Sequence, residues 1–170
     1  MDQAAKTIHV YAEATPNPNA LKFVVNRELV KYSHDYRSVE EAKGSPLAQK
    51  LFGFDFVKGV FLMNNFVSVT KNDEHKWVEL IPELREFIRE YIKSEEPIVS
   101  EEEQNTVAKE KAAEITESGS ETETRIKQIL EQNIKPAVEM DGGAIEFKDF
   151  TDGVVTVVLK GSCSGCPSSI

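Results

Sequence analysis

Cysteine is almost absent from this chain: there are two in 170 residues, Cys163 and Cys166. That scarcity excludes a disulfide framework, and it excludes any cluster site that draws four thiolates from one chain. Histidine does not make up the shortfall. His9, His34 and His75 all lie in the first half of the chain without mutual ligand spacing, so each reads as a half-exposed bystander. Basic charge is short as well, with 20 Lys and Arg against 29 Asp and Glu and a net charge of -9. No basic stripe is present to meet phosphates, so neither nucleic acid nor an anionic membrane surface is an expected partner.

Long apolar runs are missing too. The most apolar stretch, 54–69, is interrupted by Asp55, Lys58, Asn64 and Asn65, far from a membrane-spanning helix. The N-terminus shows neither the apolar centre of a signal peptide nor an arginine-rich presequence. These absences point to a cytoplasmic protein, bacterial by preference, whose cysteines stay reduced. No general base, nucleophile–histidine pair or phosphate-binding glycine loop stands out, so the protein is expected not to be an enzyme.

What is present falls into three parts: an N-terminal domain over 1–93, an acidic flexible linker over 94–121 and a C-terminal piece over 122–170. Between residues 94 and 124 lie ten Glu and two Lys, nearly the whole net charge, with Pro97, Ser118, Gly119 and Ser120 and few large apolar residues. Such a segment repels itself and stays solvated. Helix over 101–115 is expected only transiently, because little there can be buried.

The N-terminal part predicts a small α/β sandwich, an antiparallel sheet with two helices. Ile8, Val10 and Ala12 alternate with more polar residues, as do Leu21, Phe23 and Val25, around the stiff turn Thr15-Pro16-Asn17-Pro18-Asn19. Ser45-Pro46 reads as a helix start, with serine as cap and proline in the first helical position. Strands over 57–63 and 66–71 are joined by Asn64-Asn65. Ile81, Leu84, Ile88, Tyr91 and Ile92 then recur at helical spacing, with Pro82 expected in the first turn.

In the C-terminal part, Ser120-x-x-Glu123 is a capping-box pattern ahead of a helix bearing Ile126, Ile129, Leu130, Ile134, Ala137 and Val138 on one face. Pro136 should kink or end it. The turn Asp141-Gly142-Gly143 leads to strands over 145–150 and 154–160 joined at Asp152-Gly153. The expected class is α+β, ending in an α-β-β unit.

Cys163 and Cys166 form a C-x-x-C pair, which has four readings. Two unrelated core cysteines are disfavoured, because Gly and Ser flank the pair. A thioredoxin-type redox centre is disfavoured, because no further strands follow it and strand–helix alternation does not precede it. A structural zinc site would need two more ligands, hence a second chain. An iron–sulfur cluster shared by two chains would need the same, with the two pairs facing across a two-fold axis. Spacing alone does not separate the last two.

Specific strings do. Asp141-Gly142-Gly143-Ala144-Ile145-x-Phe147, Gly153-x-Val155 and Leu159-x-Gly161-Ser162-Cys163-Ser164-Gly165-Cys166-Pro167-Ser168-Ser169 closely resemble the C-terminal domain of the NifU-like (Nfu) iron–sulfur scaffold proteins. Thr15-Pro16-Asn17-Pro18-Asn19-Ala20-Leu21-Lys22-Phe23, Ser45-Pro46-Leu47-Ala48 and the 57–70 hairpin resemble that family's N-terminal domain. The resemblance implies a [4Fe-4S] cluster bound by Cys163 and Cys166 from each subunit of a homodimer and transferred to apo-proteins, with upstream assembly factors as further partners. A zinc-stapled dimeric interaction module is the alternative. In the family a long amphipathic helix follows Cys-Pro-Ser-Ser. This sequence reaches only Ile170, so the NifU-like domain is expected to be truncated, lacking its final helix, with a loosely packed hairpin. Gly161 and Gly165 are expected to turn the backbone, the Gly165 region to offer amide hydrogens to cluster sulfides, and Pro167 to start a helix whose dipole favours thiolate.

Overall fold

The computed structural model describes residues 7–116, 119–164 and 166. Strands β1 (Val10–Ala14), β2 (Ala20–Val25), β3 (His34–Tyr36), β4 (Val57–Met63) and β5 (Phe66–Lys71) form a five-stranded sheet in the order β1-β2-β5-β4-β3. Every pairing is antiparallel. Helices α1 (Pro46–Leu51) and α2 (Trp77–Lys93) accompany this sheet, so the mixed α+β class expected from the sequence is what forms.

Local chemistry explains the element ends. The Ser45 hydroxyl accepts the Ala48 amide at 3.1 Å and caps α1, with Pro46 opening the helix. Asn64 supplies the left-handed residue, φ 46°, that turns β4 back into β5. Pro82 is not in the first turn of α2 as expected. The helix begins at Trp77, so Pro82 lies inside it and withholds an amide from the carbonyl of Val78. Val78 is 76% exposed, so the turn left without that bond faces solvent rather than the core.

Side-chain alternation divides the sheet into two faces. Leu21, Phe23 and Val25 of β2, Val67 and Val69 of β5, and Val60 and Leu62 of β4 meet Leu47 and Leu51 of α1 and Leu84 and Ile88 of α2 in the main core. The opposite face is also apolar. Val24, Phe61, Met63 and Phe66 gather there with Ala144 from the far end of the chain.

The stretch expected to be a solvated linker departs from that expectation. Its first residues are strapped over the helical layer. The Ser45 hydroxyl donates to the Ile98 carbonyl at 2.6 Å, the Tyr91 hydroxyl to the Pro97 carbonyl at 2.6 Å, and Val99 is buried. Helix α3 (Glu101–Thr116) follows, its Glu103 amide donating to the Ser100 hydroxyl. Glu103 accepts from the Tyr36 hydroxyl and lies 3.4 Å from Nδ1 of His34. His34 is therefore no bystander: it is 5% exposed and stacks on Tyr36. The strap holds because it buries an apolar residue and gives Glu103 two partners, which the acidic composition concealed.

Helix α4 (Glu121–Ile129) starts at the predicted cap, the Ser120 hydroxyl accepting the Glu123 amide. A wide π turn (Leu130–Ile134) joins it to α5 (Lys135–Met140). Pro136 accounts for that turn, since its ring and missing amide are incompatible with a regular α turn one step earlier. Strands β6 (Gly143–Thr151) and β7 (Val154–Gly161) pair as a separate antiparallel hairpin, turned by Asp152 and Gly153 at φ 52° and 78°. Among the described residues of this part, burial is confined to its cysteine end: Gly142, Gly143, Ala144, Ser162, Cys163 and Cys166 are buried, while Val154, Val155, Val157 and Val158 are exposed.

The His34 contact predicts an acid sensitivity. Burial lowers the His34 pKa below its ordinary 6.5; the Glu103 carboxylate opposes this and Lys160 adds to it. On acidification the unfolded chain takes up that proton first. Stability is therefore complete above about pH 7 and falls as pH drops through the unfolded value towards the lower native one. Thermal unfolding followed from about pH 7.5 to 5.5 should show a shallower loss for His34→Asn than for wild type. Equal slopes would mean that His34 is not held neutral.

Candidate functional site

The cysteine turn is formed where the two ends of the β6–β7 hairpin meet α5. Asp141 caps α5, and its carbonyl accepts from the Ser162 hydroxyl. The expectation that Asp141 is a turn or cap residue matches its place. The Ser162 amide donates to the Gly142 carbonyl at 3.3 Å and the Ser164 amide to the Gly161 carbonyl at 3.1 Å, which closes the turn. Cys163 and Cys166 are both buried, 9% and 5% exposed, and neither is in a disulfide. The Cys163 thiol lies 3.9 Å from the Val138 carbonyl of α5 and packs against Gly143, where an added Cβ would come within 2.6 Å of Sγ. Gly165 and Pro167, to which the sequence assigned backbone and helix-start roles, lie outside the described residues.

This turn does not stand alone. It is seated on the second apolar face of the five-stranded sheet. The Ser68 hydroxyl of β5 donates to the Gly142 carbonyl at 2.6 Å, and the Asn17 side-chain amide donates to the Ser162 carbonyl at 3.1 Å, both in buried surroundings. The Arg37 guanidinium donates to the Ser164 hydroxyl at 2.9 Å. Gly142 and Gly161 both adopt left-handed backbone, φ 79° and 65°. A Cβ on Gly161 would stand 2.7 Å from the Phe61 ring, and one on Gly142 would stand 2.8 Å from the Ser68 hydroxyl. Both positions need glycine twice over, for conformation and for close approach.

Asn17 illustrates what sequence reasoning missed. In the sequence it reads as part of the stiff 15–19 turn, and its Oδ1 does accept the Asn19 amide at 3.0 Å. Its Nδ2 makes the longer-range contact to Ser162. The only signal for a covered second face was in the strands: Val60-Phe61-Leu62-Met63 and Phe66-Val67 do not alternate, the pattern of strands buried on both sides.

Electrostatically Cys163 is held as a thiol rather than a thiolate. Burial pushes the Cys163 pKa up, and the charges of Asp141 and Cys166 push the same way, against a hydrogen bond from Ser162. Metal binding must therefore displace a proton, and a soft cation repays that displacement. Beside the turn, burial also raises the Asp35 pKa, while Arg37 and the Gly161 amide pull it down. Among the described residues no group of three or more His, Cys, Asp or Glu side chains is placed to hold a metal ion.

The fold is thus an α+β scaffold that carries two buried cysteines at the end of the β6–β7 hairpin. The chain belongs to the Nfu/NifU scaffold family: residues 10–95 match the family model for the scaffold protein Nfu/NifU N terminal, and residues 126–170 match the NifU-like domain. This is a family of scaffold proteins, not of enzymes. NifU-like protein 4, mitochondrial, of Arabidopsis thaliana is 39% identical over 96% of this chain and 58% of its own length. The NFU1 iron-sulfur cluster scaffold homolog, mitochondrial, of Homo sapiens is 37% identical over 95% of this chain and 62% of its own. The chain thus spans about three fifths of the length of these relatives. A solution NMR structure of a NifU-like protein from Saccharomyces cerevisiae shares the fold with a TM-score of 0.51 and 23% identity, covering 59% of this chain and 92% of that one.

The expected bacterial cytoplasmic setting is overturned by these relatives, which are named as mitochondrial proteins of plant and animal. Among the described residues, no helix is long and apolar enough to cross a membrane.

Gly161 and Gly153 allow a controlled test of the docking. Both are left-handed, so alanine costs about 1–2 kcal/mol of backbone strain at either. A Cβ at Gly153 meets nothing within 4 Å. Gly161→Ala should therefore destabilise by roughly 1–3 kcal/mol more than Gly153→Ala in urea unfolding, the difference reporting the Phe61 contact.

Proposed function

We propose that this chain holds an iron–sulfur cluster of the [4Fe-4S] type between two copies of itself and passes it to apo-proteins. Cys163 and Cys166 of each copy are the ligands. The observation that carries this reading is the dithiol turn, which offers two thiols and no third or fourth ligand among the described residues. A cubane cluster takes four thiolates, and a two-fold axis supplies them from two equal halves. A cluster held between subunits is released when the subunits part, which suits a carrier better than a permanent electron-transfer centre.

The human relative is named as an iron-sulfur cluster scaffold homolog, and family membership supports the same role here. Client proteins lacking their clusters, and the factors that supply iron and sulfide, are the corresponding partners. The mitochondrial names of the relatives support work in that compartment.

Anaerobic reconstitution with iron and sulfide tests the ligand set. Wild type should turn brown, take up about four irons and four sulfides per pair of chains, and sediment as a dimer. Cys163→Ser and Cys166→Ser should each lose that uptake. A colourless wild-type dimer containing zinc would replace the cluster by a structural metal. Full iron uptake by either serine variant would overturn the ligand assignment.

A further inference from the structure

The N-terminal domain touches the cysteine turn at several points. Three of its side chains reach the turn from different elements: Asn17 from the loop between β1 and β2, Ser68 from β5 and Arg37 from the residue after β3. Two of the three bond to main-chain carbonyls, those of Ser162 and Gly142, which bracket the base of the turn. The Phe61 ring closes against Gly161, and Ala144 enters the apolar cluster of Val24, Phe61, Met63 and Phe66.

Both thiols are buried in this docked arrangement. A ligand shared with a second chain requires thiols that face outward, so docking and sharing are mutually exclusive for the same turn. Within the C-terminal piece, whose α4 and α5 contain no buried residue, the turn is held by its own backbone bonds and by the packing of Cys163 on Gly143 and the Val138 carbonyl. The sheet of the N-terminal domain adds the bonds from Asn17, Ser68 and Arg37 that tie the turn down.

We propose that the N-terminal domain is a latch on the cysteine pair, with Asn17 and Ser68 as its positioning residues and release of the 161–164 turn from the sheet as the step that exposes the thiols. This deepens the reading of Cys163 and Cys166 as cluster ligands and rests on it for its purpose, but the latch itself is a property of the chain without any cluster.

Asn17→Asp is the sharpest probe. It keeps the Oδ1 acceptor for the Asn19 amide but replaces the donor to Ser162 with an oxygen that repels the carbonyl. Ser68→Ala removes the hydroxyl that bonds Gly142 and nothing else that the hydroxyl contacts. In the reduced full chain, without metal, the rate of thiol labelling by dithionitrobenzoate reads the exposed fraction. Wild type should label much more slowly than the same chain in guanidinium, and each variant should label roughly tenfold faster than wild type, the effect of one lost buried hydrogen bond on a local opening. Fluorescence of Trp77, the chain's single tryptophan, whose indole nitrogen donates to the Pro18 carbonyl, checks that the N-terminal domain and its 15–19 turn remain intact. Should Asn17→Asp unfold that turn, Ser68→Ala carries the test.

Wild-type thiols reacting as fast as in the unfolded chain, or folded variants labelling at the wild-type rate, would overturn the latch and leave the cluster ligands untouched. Loss of cluster uptake in the cysteine variants bears on the ligands alone.

Discussion

The central strands β2, β5 and β4 carry apolar side chains on both faces, while α1 and α2 cover only one. Water on the other face would meet Phe61, Met63, Phe66 and Val24, and removing such surface from water is worth about 25 cal/mol for each Å². The cover arrives from the far end of the sequence. It is an unusual cover, because the residues that approach most closely are glycines and a serine rather than large apolar groups. Their small size lets the backbone itself come down on the sheet. Backbone carbonyls brought that close to an apolar face need donors, and Ser68 and Asn17 supply them. Close approach and polar satisfaction are therefore one requirement, and the position of the cysteine turn follows from it.

A second tie runs along the acidic segment. Helix α3 begins on the N-terminal domain, where Glu103 meets Tyr36 and His34, and reaches the hairpin through Lys111, which pairs with Glu146 at 2.7 Å. Lys160 pairs with the same carboxylate at 2.9 Å. These latter groups are about one-third exposed or less, so each pair contributes modestly and chiefly fixes direction. Three glutamates in the first turn of α3 suit the positive end of its dipole, so acidic composition and helix formation agree there.

The particular residues that were legible in the sequence were those whose local chemistry is sufficient. Ser45-Pro46, Asn64-Asn65 and Asp152-Gly153 fix a cap and two turns without reference to anything distant, and the cysteine pair declares itself by spacing. Residues whose role is set by distant partners were not legible. His34 is ordinary in sequence and buried in the fold because Glu103 reaches it from 69 residues away. The Ser100-x-x-Glu103 pattern at the start of α3 has the same form as Ser120-x-x-Glu123, and net charge obscured it. Asn17 looked complete as a turn residue because its oxygen was accounted for, although its nitrogen was not.

The thiols sit at the meeting point of these constraints. A cluster ligand must be deprotonated and reachable, whereas Cys163 is buried and its pKa is raised by that burial. The fold thus holds Cys163 in the less reactive thiol form, which protects it from oxidation. Releasing the turn from the sheet demands the loss of a few hydrogen bonds and one small apolar contact, a cost of a few kcal/mol. Hydrogen bonds from side chains to a turn backbone are suited to such a task. Each is modest when made, and all are broken together when the turn leaves, so protection ends in one step rather than by gradual loosening.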